Sequence, residues 1–240
     1  MIRMQVNVIL QVRDGFTGRI LEGSNLICML DGVSVRPVAK PGGYLILTNL
    51  PVGEHQLLLR ADGYQDEYVE FTAVKDGYRE LYVALKPGRQ YLFWQSVIRL
   101  RLQLPYELHG RQIWISSPSV AECKVAQTKA ERGSEQFRIY CKGNQALLPI
   151  PGTFLIEDGE QSEVVVLKSL SEEMGTLEEP LCRDHGRSRR LLPVQKYRCD
   201  EQGQIYAAFP TAGTAVIYTG SGEPRSLVLA EGENRLDLSE

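Results

Sequence analysis

The chain has 240 residues, 43% of them hydrophobic and 24% charged, with a formal net charge of -3. That length supports one to three globular domains, and so small a charge argues against binding nucleic acid through bulk electrostatics. The apolar runs, such as residues 57–59 and 164–167, are far too short for a membrane-crossing helix.

Polar residues interrupt positions 1–8, so no signal-peptide core is read there and a cytoplasmic location is expected. Met4, Val6, Val8, Leu10 and Val12 then recur every second residue, which places one apolar face on a strand. Further strands are expected near 25–30, 33–38, 43–49, 54–61, 66–74 and 80–86. Turn dipeptides separate them, among them Asp14-Gly15, Asp31-Gly32, Gly42-Gly43 and Asp62-Gly63, where glycine and aspartate accept positive φ. The strand at the N-terminus is read as an edge open to a partner strand.

Lys86-Pro87-Gly88 reads as a first domain boundary, followed by the aromatic cluster Tyr91, Phe93 and Trp94. Ile98, Leu100, Leu102 and Leu104 alternate in a strand, and Trp114 lies between Ile113 and Ile115. Residues 119–130 are a weak helix candidate, and Phe137, Ile139 and Cys141 alternate again. A second boundary is read within 168–180, rich in serine and glutamate, where 169–174 fits a short helix. The resulting division is 1–87, 88–170 and 171–240. Gly203 to Gly213 repeats the grammar of Gly43 to Gly53, glycine, strand, proline, glycine, so the last segment reads as a diverged copy of the first.

Asp14-Gly15-Phe16-Thr17-Gly18, Gly43-Tyr44, Leu50-Pro51-Val52-Gly53-Glu54 and Ala61-Asp62-Gly63-Tyr64 together resemble the carboxypeptidase-regulatory-like domain and the related PEGA repeats, over about residues 3–86. The resemblance implies a transthyretin-like sandwich of about seven strands in two antiparallel sheets, with no active site. The fold class expected for the whole chain is all-β, as tandem small antiparallel β-sandwiches.

The chemistry-bearing motifs agree with a chain that is not an enzyme. His55, His109 and His185 begin no HxxE or HExxH, and there is no GxSxG, GxxxxGK[ST] or GxGxxG. Five cysteines without a CxxC read as reduced structural thiols. Cys182, His185 and Cys199 come nearest to a metal cluster, but a structural zinc site wants four ligands and a fourth must come from Cys123 or Cys141. No metal or cofactor is assigned.

Arg183, His185, Arg187, Arg189 and Arg190 form the strongest charge run, with Glu172, Glu173, Glu178 and Glu179 upstream to neutralise part of it. It reads as a solvated loop or as a docking patch for an acidic partner. The aromatics read as interdomain or core packing, or as a stacking surface for a sugar or a protein partner. The candidate interaction residues are therefore Tyr91, Phe93, Trp94, Trp114, Arg187, Arg189 and Arg190. The leading function is a structural or adaptor subunit held by protein–protein contacts in a larger assembly, such as a phage-tail-like or contractile injection particle. The alternative is a carbohydrate- or ligand-binding module using exposed aromatics.

Overall fold

A computed structural model describes the chain apart from residues 1–4, 18, 23–25, 76, 92–96, 119–122, 143–147, 201 and 239–240. Its contacts divide it into two compact units, residues 1–97 and 98–240, with 206–208 grouped with the first. The fold is all-β and largely antiparallel.

The first unit contains β1 (Val6–Asp14), β2 (Leu26–Leu30), β3 (Val33–Val35), β4 (Val38–Lys40), β5 (Tyr44–Thr48), β6 (Gly53–Ala61), β7 (Glu67–Ala73) and β8 (Arg79–Leu85). They form two four-stranded sheets, ordered β4-β5-β1-β8 and β3-β2-β6-β7. The expected strand at 33–38 is two strands, interrupted at Arg36-Pro37, because proline offers no N–H to a ladder. The inward residues Val8, Leu10, Val12, Leu57, Leu59 and Leu85 are fully buried, as their alternation requires. Asp31 and Gly32 take the positive φ values of 49° and 80° that a two-residue turn between β2 and β3 needs. One expectation fails here: β1 is not an edge but lies between β5 and β8, pairing parallel with β8. The open edges are β4, β8, β3 and β7.

The second unit contains β9 (Ile98–Gln103), β10 (Gln112–Ser116), β11 (Cys123–Val125), β12 (Lys129–Ala130), β13 (Gln136–Cys141), β14 (Gly152–Glu157), β15 (Glu163–Ser171) and β16 (Met174–Leu177). The chain continues with β17 (His185–Gly186), β18 (Arg190–Arg198), β19 (Gln204–Phe209, of which 206–208 group with the first unit), β20 (Gly213–Tyr218), β21 (Arg225–Leu229) and β22 (Glu233–Asp237). The described part of 119–130 is strand and loop rather than helix. The stretch 168–180 is not a linker: β15 runs through Ser171 and turns directly into β16. The second boundary therefore disappears, and the segment after 171 shares its sheets with the segment before it.

Strand order explains this arrangement. The sheet β19-β9-β22 matches β5-β1-β8, and the run β18-β10-β20-β21 matches β3-β2-β6-β7. In each set the first and last strands pair parallel, β1 with β8 and β9 with β22. Gly43 and Gly203 have φ of 72° and 73°, while Gly53 and Gly213 have 143° and 138°. A Cβ at Gly43 would collide with Ile20, and one at Gly203 with His109, so each early strand is approached at the same point by the segment after the first strand. The second sandwich thus begins at β9 and resumes at β18, with other strands inserted between.

The insertion closes on itself. In the order β11-β13-β16-β15-β14-β18, the last strand also pairs with the first, which makes a six-stranded antiparallel barrel. Closure leaves the ring without open edges. Phe137, Ile139, Phe154, Ile156, Leu167 and Leu191 are fully buried inside it. Truncating Phe137 or Phe154 to alanine is expected to cost about 3–5 kcal/mol, from lost burial plus the cavity left behind.

Candidate functional site

The polar residues of the first unit converge on Asp14, at the end of β1. Its carboxylate accepts hydrogen bonds from the Tyr91 hydroxyl at 2.6 Å and the Tyr64 hydroxyl at 2.9 Å. The backbone N–H groups of Phe16 and Thr17 donate to its other oxygen at 2.7 and 3.0 Å. Burial pushes the Asp14 carboxyl up, but these four donors outweigh it and hold it below the usual carboxylate range. The same cluster pushes both tyrosine hydroxyls well above theirs, through burial and the neighbouring carboxylate. Phe16 and Tyr64 each meet the Tyr91 ring edge to face. Tyr91 is only 5% exposed, so it anchors the chain after β8 and offers no surface to a partner. Phe93 and Trp94 lie outside the described residues.

His55 lies against Phe71, their rings stacked with centroids 5.5 Å apart. Its Nε2 bonds the Pro51 carbonyl at 2.8 Å and its Nδ1 the Asp31 carboxylate at 2.6 Å. Those two acceptors, the carbonyl first, favour the imidazolium and raise the His55 pKa.

The second unit has a denser centre. His185 is completely buried, with Nε2 2.7 Å from Glu163 and Nδ1 3.2 Å from Asp158. Glu163 also accepts the N–H groups of Cys182 and Arg183, both at 3.0 Å. Burial raises the Glu163 pKa, but the bonds from His185 and those two amides bring it below its ordinary value. The Tyr218 hydroxyl donates to the Ser162 carbonyl at 2.8 Å, and the Ser162 hydroxyl spans the turn between β14 and β15.

Cys182, His185 and Cys199, the nearest approach to a metal cluster in the sequence, have other surroundings. Both nitrogens of His185 face carboxylates, Cys182 is exposed, and Cys199 accepts the Gly110 N–H at 3.2 Å. Among the described residues no group of three or more potential ligands gathers around one point.

The arginine run is also partly committed. Arg189 pairs with Asp158 at 2.8 Å and Arg190 with Glu157 at 2.8 Å, each side chain about half exposed. Arg190 reaches Glu157 because the two residues are opposite in the β14–β18 ladder. Carboxylates of β14 and the turn after it, rather than the upstream glutamates, are the partners of these two arginines. Arg187 is exposed. Trp114 is half-buried, tilted against Tyr218 with ring centroids 6.2 Å apart, on the strand face opposite Ile113 and Ile115.

The outer face of β4-β5-β1-β8 was missed in the sequence. Register places Val38, Ile46, Ile9 and Glu80 in one row, with Lys40, Tyr44, Gln11 and Tyr82 in the next. Val38 is 41% and Tyr82 55% exposed, so the outer face of this sheet carries apolar and aromatic surface. Ile9 breaking the polar alternation of β1 was the available signal.

No known protein family and no curated protein matches the chain. Among solved structures it aligns with the Bacillus anthracis TIE protein at 12% identity and a TM-score of 0.28, covering 97% of this chain and 33% of that one. A streptococcal ancillary pilin aligns at 11% and 0.28, covering 98% and 61%. BcpA, the major pilin subunit of Bacillus cereus, aligns at 11% and 0.29, covering 98% and 99%. The chain thus spans about a third of the TIE protein and less than two thirds of the ancillary pilin. Likenesses this distant carry no argument about function.

Proposed function

We propose that this chain is a non-catalytic structural or adaptor subunit, built from a sandwich and an interrupted copy of it, that acts through contacts with other proteins. The observation that carries this reading is the commitment of its chemistry-bearing groups to structural bonds. His55 ties Pro51 to Asp31, His185 ties Glu163 to Asp158, and His109 lies 3.3 Å from the Leu104 carbonyl. Asp14 holds four donors of its own module. A general acid or base needs a free position facing substrate, and these side chains spend theirs on the fold.

The proposed setting is a large particle of the phage-tail-like or contractile injection kind, in which small sandwich modules serve as fittings. The outer face that carries Val38, Ile46 and Tyr82 is the surface offered for docking. The test is sedimentation of native extract from the source cells. The chain should travel with a high-mass assembly, and Ile46→Lys with Tyr82→Lys should move it to the monomer fraction without lowering its melting temperature. A chain found only as a lone monomer, or one that binds immobilised glycans through Trp114, overturns the proposal.

A further inference from the structure

Cys123 and Cys141 are directly opposite each other in the β11–β13 ladder of the barrel. Their sulfur atoms are 2.6 Å apart. The ladder also fixes what kind of pair they form. Ala126 donates its N–H to the Arg138 carbonyl at 2.8 Å, so those opposed residues are a hydrogen-bonded pair. Alternation then makes Val125 with Ile139, and Cys123 with Cys141, non-hydrogen-bonded pairs. Two bonds confirm the phase. Val125 donates away from β13 to the Arg189 carbonyl at 2.9 Å, and Ile139 away from β11 to the Glu173 carbonyl at 2.7 Å.

At a non-hydrogen-bonded position the Cα atoms are about 4.5 Å apart and the side chains approach most closely. That spacing lies within the range of about 4.4–6.8 Å that a disulfide spans without moving the backbone. We infer that Cys123 and Cys141 are a redox site, two thiols held ready to form one disulfide across the barrel wall.

The location gives the bond a consequence. Among the described residues β11 joins the ring to β18 over a short stretch, Cys123 opposite Leu191 and Lys124 opposite Arg190, with Val125 bonded to Arg189 and Ser188 just before β18 begins. A covalent link from β11 to β13 would tie the strand that carries this seam to its other neighbour, so the oxidised barrel is the harder one to open.

The two sulfurs have different roles in the chemistry. Cys123 is 1% exposed, whereas Cys141 is partly exposed and first to meet a reagent. Burial pushes both thiols up, but at Cys141 the hydrogen bond from Cys123 acts in the opposite direction. The Cys141 thiolate attacks one sulfur of an external small-molecule disulfide and displaces one thiolate. Cys123, deprotonated in turn, attacks the Cys141 sulfur of the mixed disulfide and releases the second thiol. The two cysteines lose two protons and two electrons. The external disulfide gains both and leaves as two thiols.

The full-length chain, carrying Cys182→Ser to remove the exposed competing thiol, is prepared reduced and then incubated with oxidised glutathione. Trypsin under non-reducing conditions should release residues 112–124 and 139–142 as one linked peptide, separated again by dithiothreitol. The oxidised chain should melt about 5 °C or more above the reduced one, a shift expected from closing a loop of this size. Cys123→Ala should abolish the redox-dependent shift while its own circular dichroism spectrum stays native. Glutathione remaining on Cys141 in natively folded protein, or linkage of either cysteine to Cys28 or Cys199, overturns the inference.

Discussion

His185 and Glu163 meet at 2.7 Å in the interior of the second unit, and each also bonds a group from another segment: His185 takes Asp158, and Glu163 takes the Cys182 and Arg183 amides. The pair therefore fixes the β14–β15 turn to the chain leading into β17. Removing one member of a buried, hydrogen-bonded pair leaves the other's polar group unsatisfied, so His185→Ala and Glu163→Gln should each cost about 1–3 kcal/mol. Their double variant should cost less than the sum. Urea denaturation of the three variants checks both statements.

The same pair sets an acid limit. Glu163 has a folded pKa below its unfolded one, so its stabilisation is complete above the unfolded value and disappears as pH falls through the folded one. Denaturation midpoints of the second unit should fall as pH drops below about 4.5. Glu163→Gln should flatten that part of the curve. An unchanged acid slope in the variant would remove Glu163 from the account.

Tyr91, one of the candidate interaction residues, is buried against Asp14 and gives the most direct test. If it is an anchor, Tyr91→Phe loses a hydrogen bond to a charged acceptor, worth about 1.5–3 kcal/mol. It keeps the ring contacts with Phe16 and Tyr64. Stability should fall while co-sedimentation with the assembly stays unchanged under conditions where the variant is folded. Because Tyr64 and Tyr91 share one oxygen of Asp14, Tyr64→Phe combined with Tyr91→Phe should depart from additivity.

His55 gives the first unit a limit at the opposite end of the scale. Its folded pKa is raised by the Pro51 carbonyl and then by Asp31. A raised value means that its contribution is fully present below the unfolded pKa, about 6.5 for histidine, and is lost as pH climbs through the higher folded value. Asp14, with its lowered pKa, acts in the other direction at acid pH. The first unit should therefore be most stable between the two, and His55→Ala should remove the decline on the alkaline side. Following the His55 ring protons by NMR across pH 5–9 gives the titration directly.

These residues also show where the sequence stops being informative. Alternation revealed that Val8, Leu10 and Val12 share a face, but it cannot say which strands flank them, so a central strand read as an edge. An aromatic after Pro87-Gly88 looks the same whether it is a platform or an anchor. What decides is Asp14, 77 residues away. The likeness of Gly43–Gly53 to Gly203–Gly213 was legible because it is local. The start of the second sandwich was not, because Ser116 pairs with Val194 across the whole inserted barrel. Cys123 and Cys141 were likewise visible as residues, while their register was not.

The hairpin between β15 and β16 was hidden for a chemical reason, and this makes it testable. Its two turn residues are Glu172 and Glu173, with φ of 46° and 69°, between the opposed Ser171 and Met174. Two-residue hairpins with both φ positive ordinarily use Asn-Gly, since a residue with a longer side chain is crowded by its own backbone there. A glutamate pair after two serines reads instead as the first turn of a helix. The fold imposes the strained geometry because Leu167, Leu177 and Ile139 must stay inside the barrel, and the Glu173 carbonyl is held by the Ile139 N–H. Replacing Glu172-Glu173 with Asn-Gly should relieve that strain and stabilise the chain by about 1–2 kcal/mol. The gain should appear as a higher denaturation midpoint with an unchanged slope, since the surface exposed on unfolding does not change. A midpoint that stays put or falls would mean that the glutamate side chains contribute interactions outweighing the strain of their backbone.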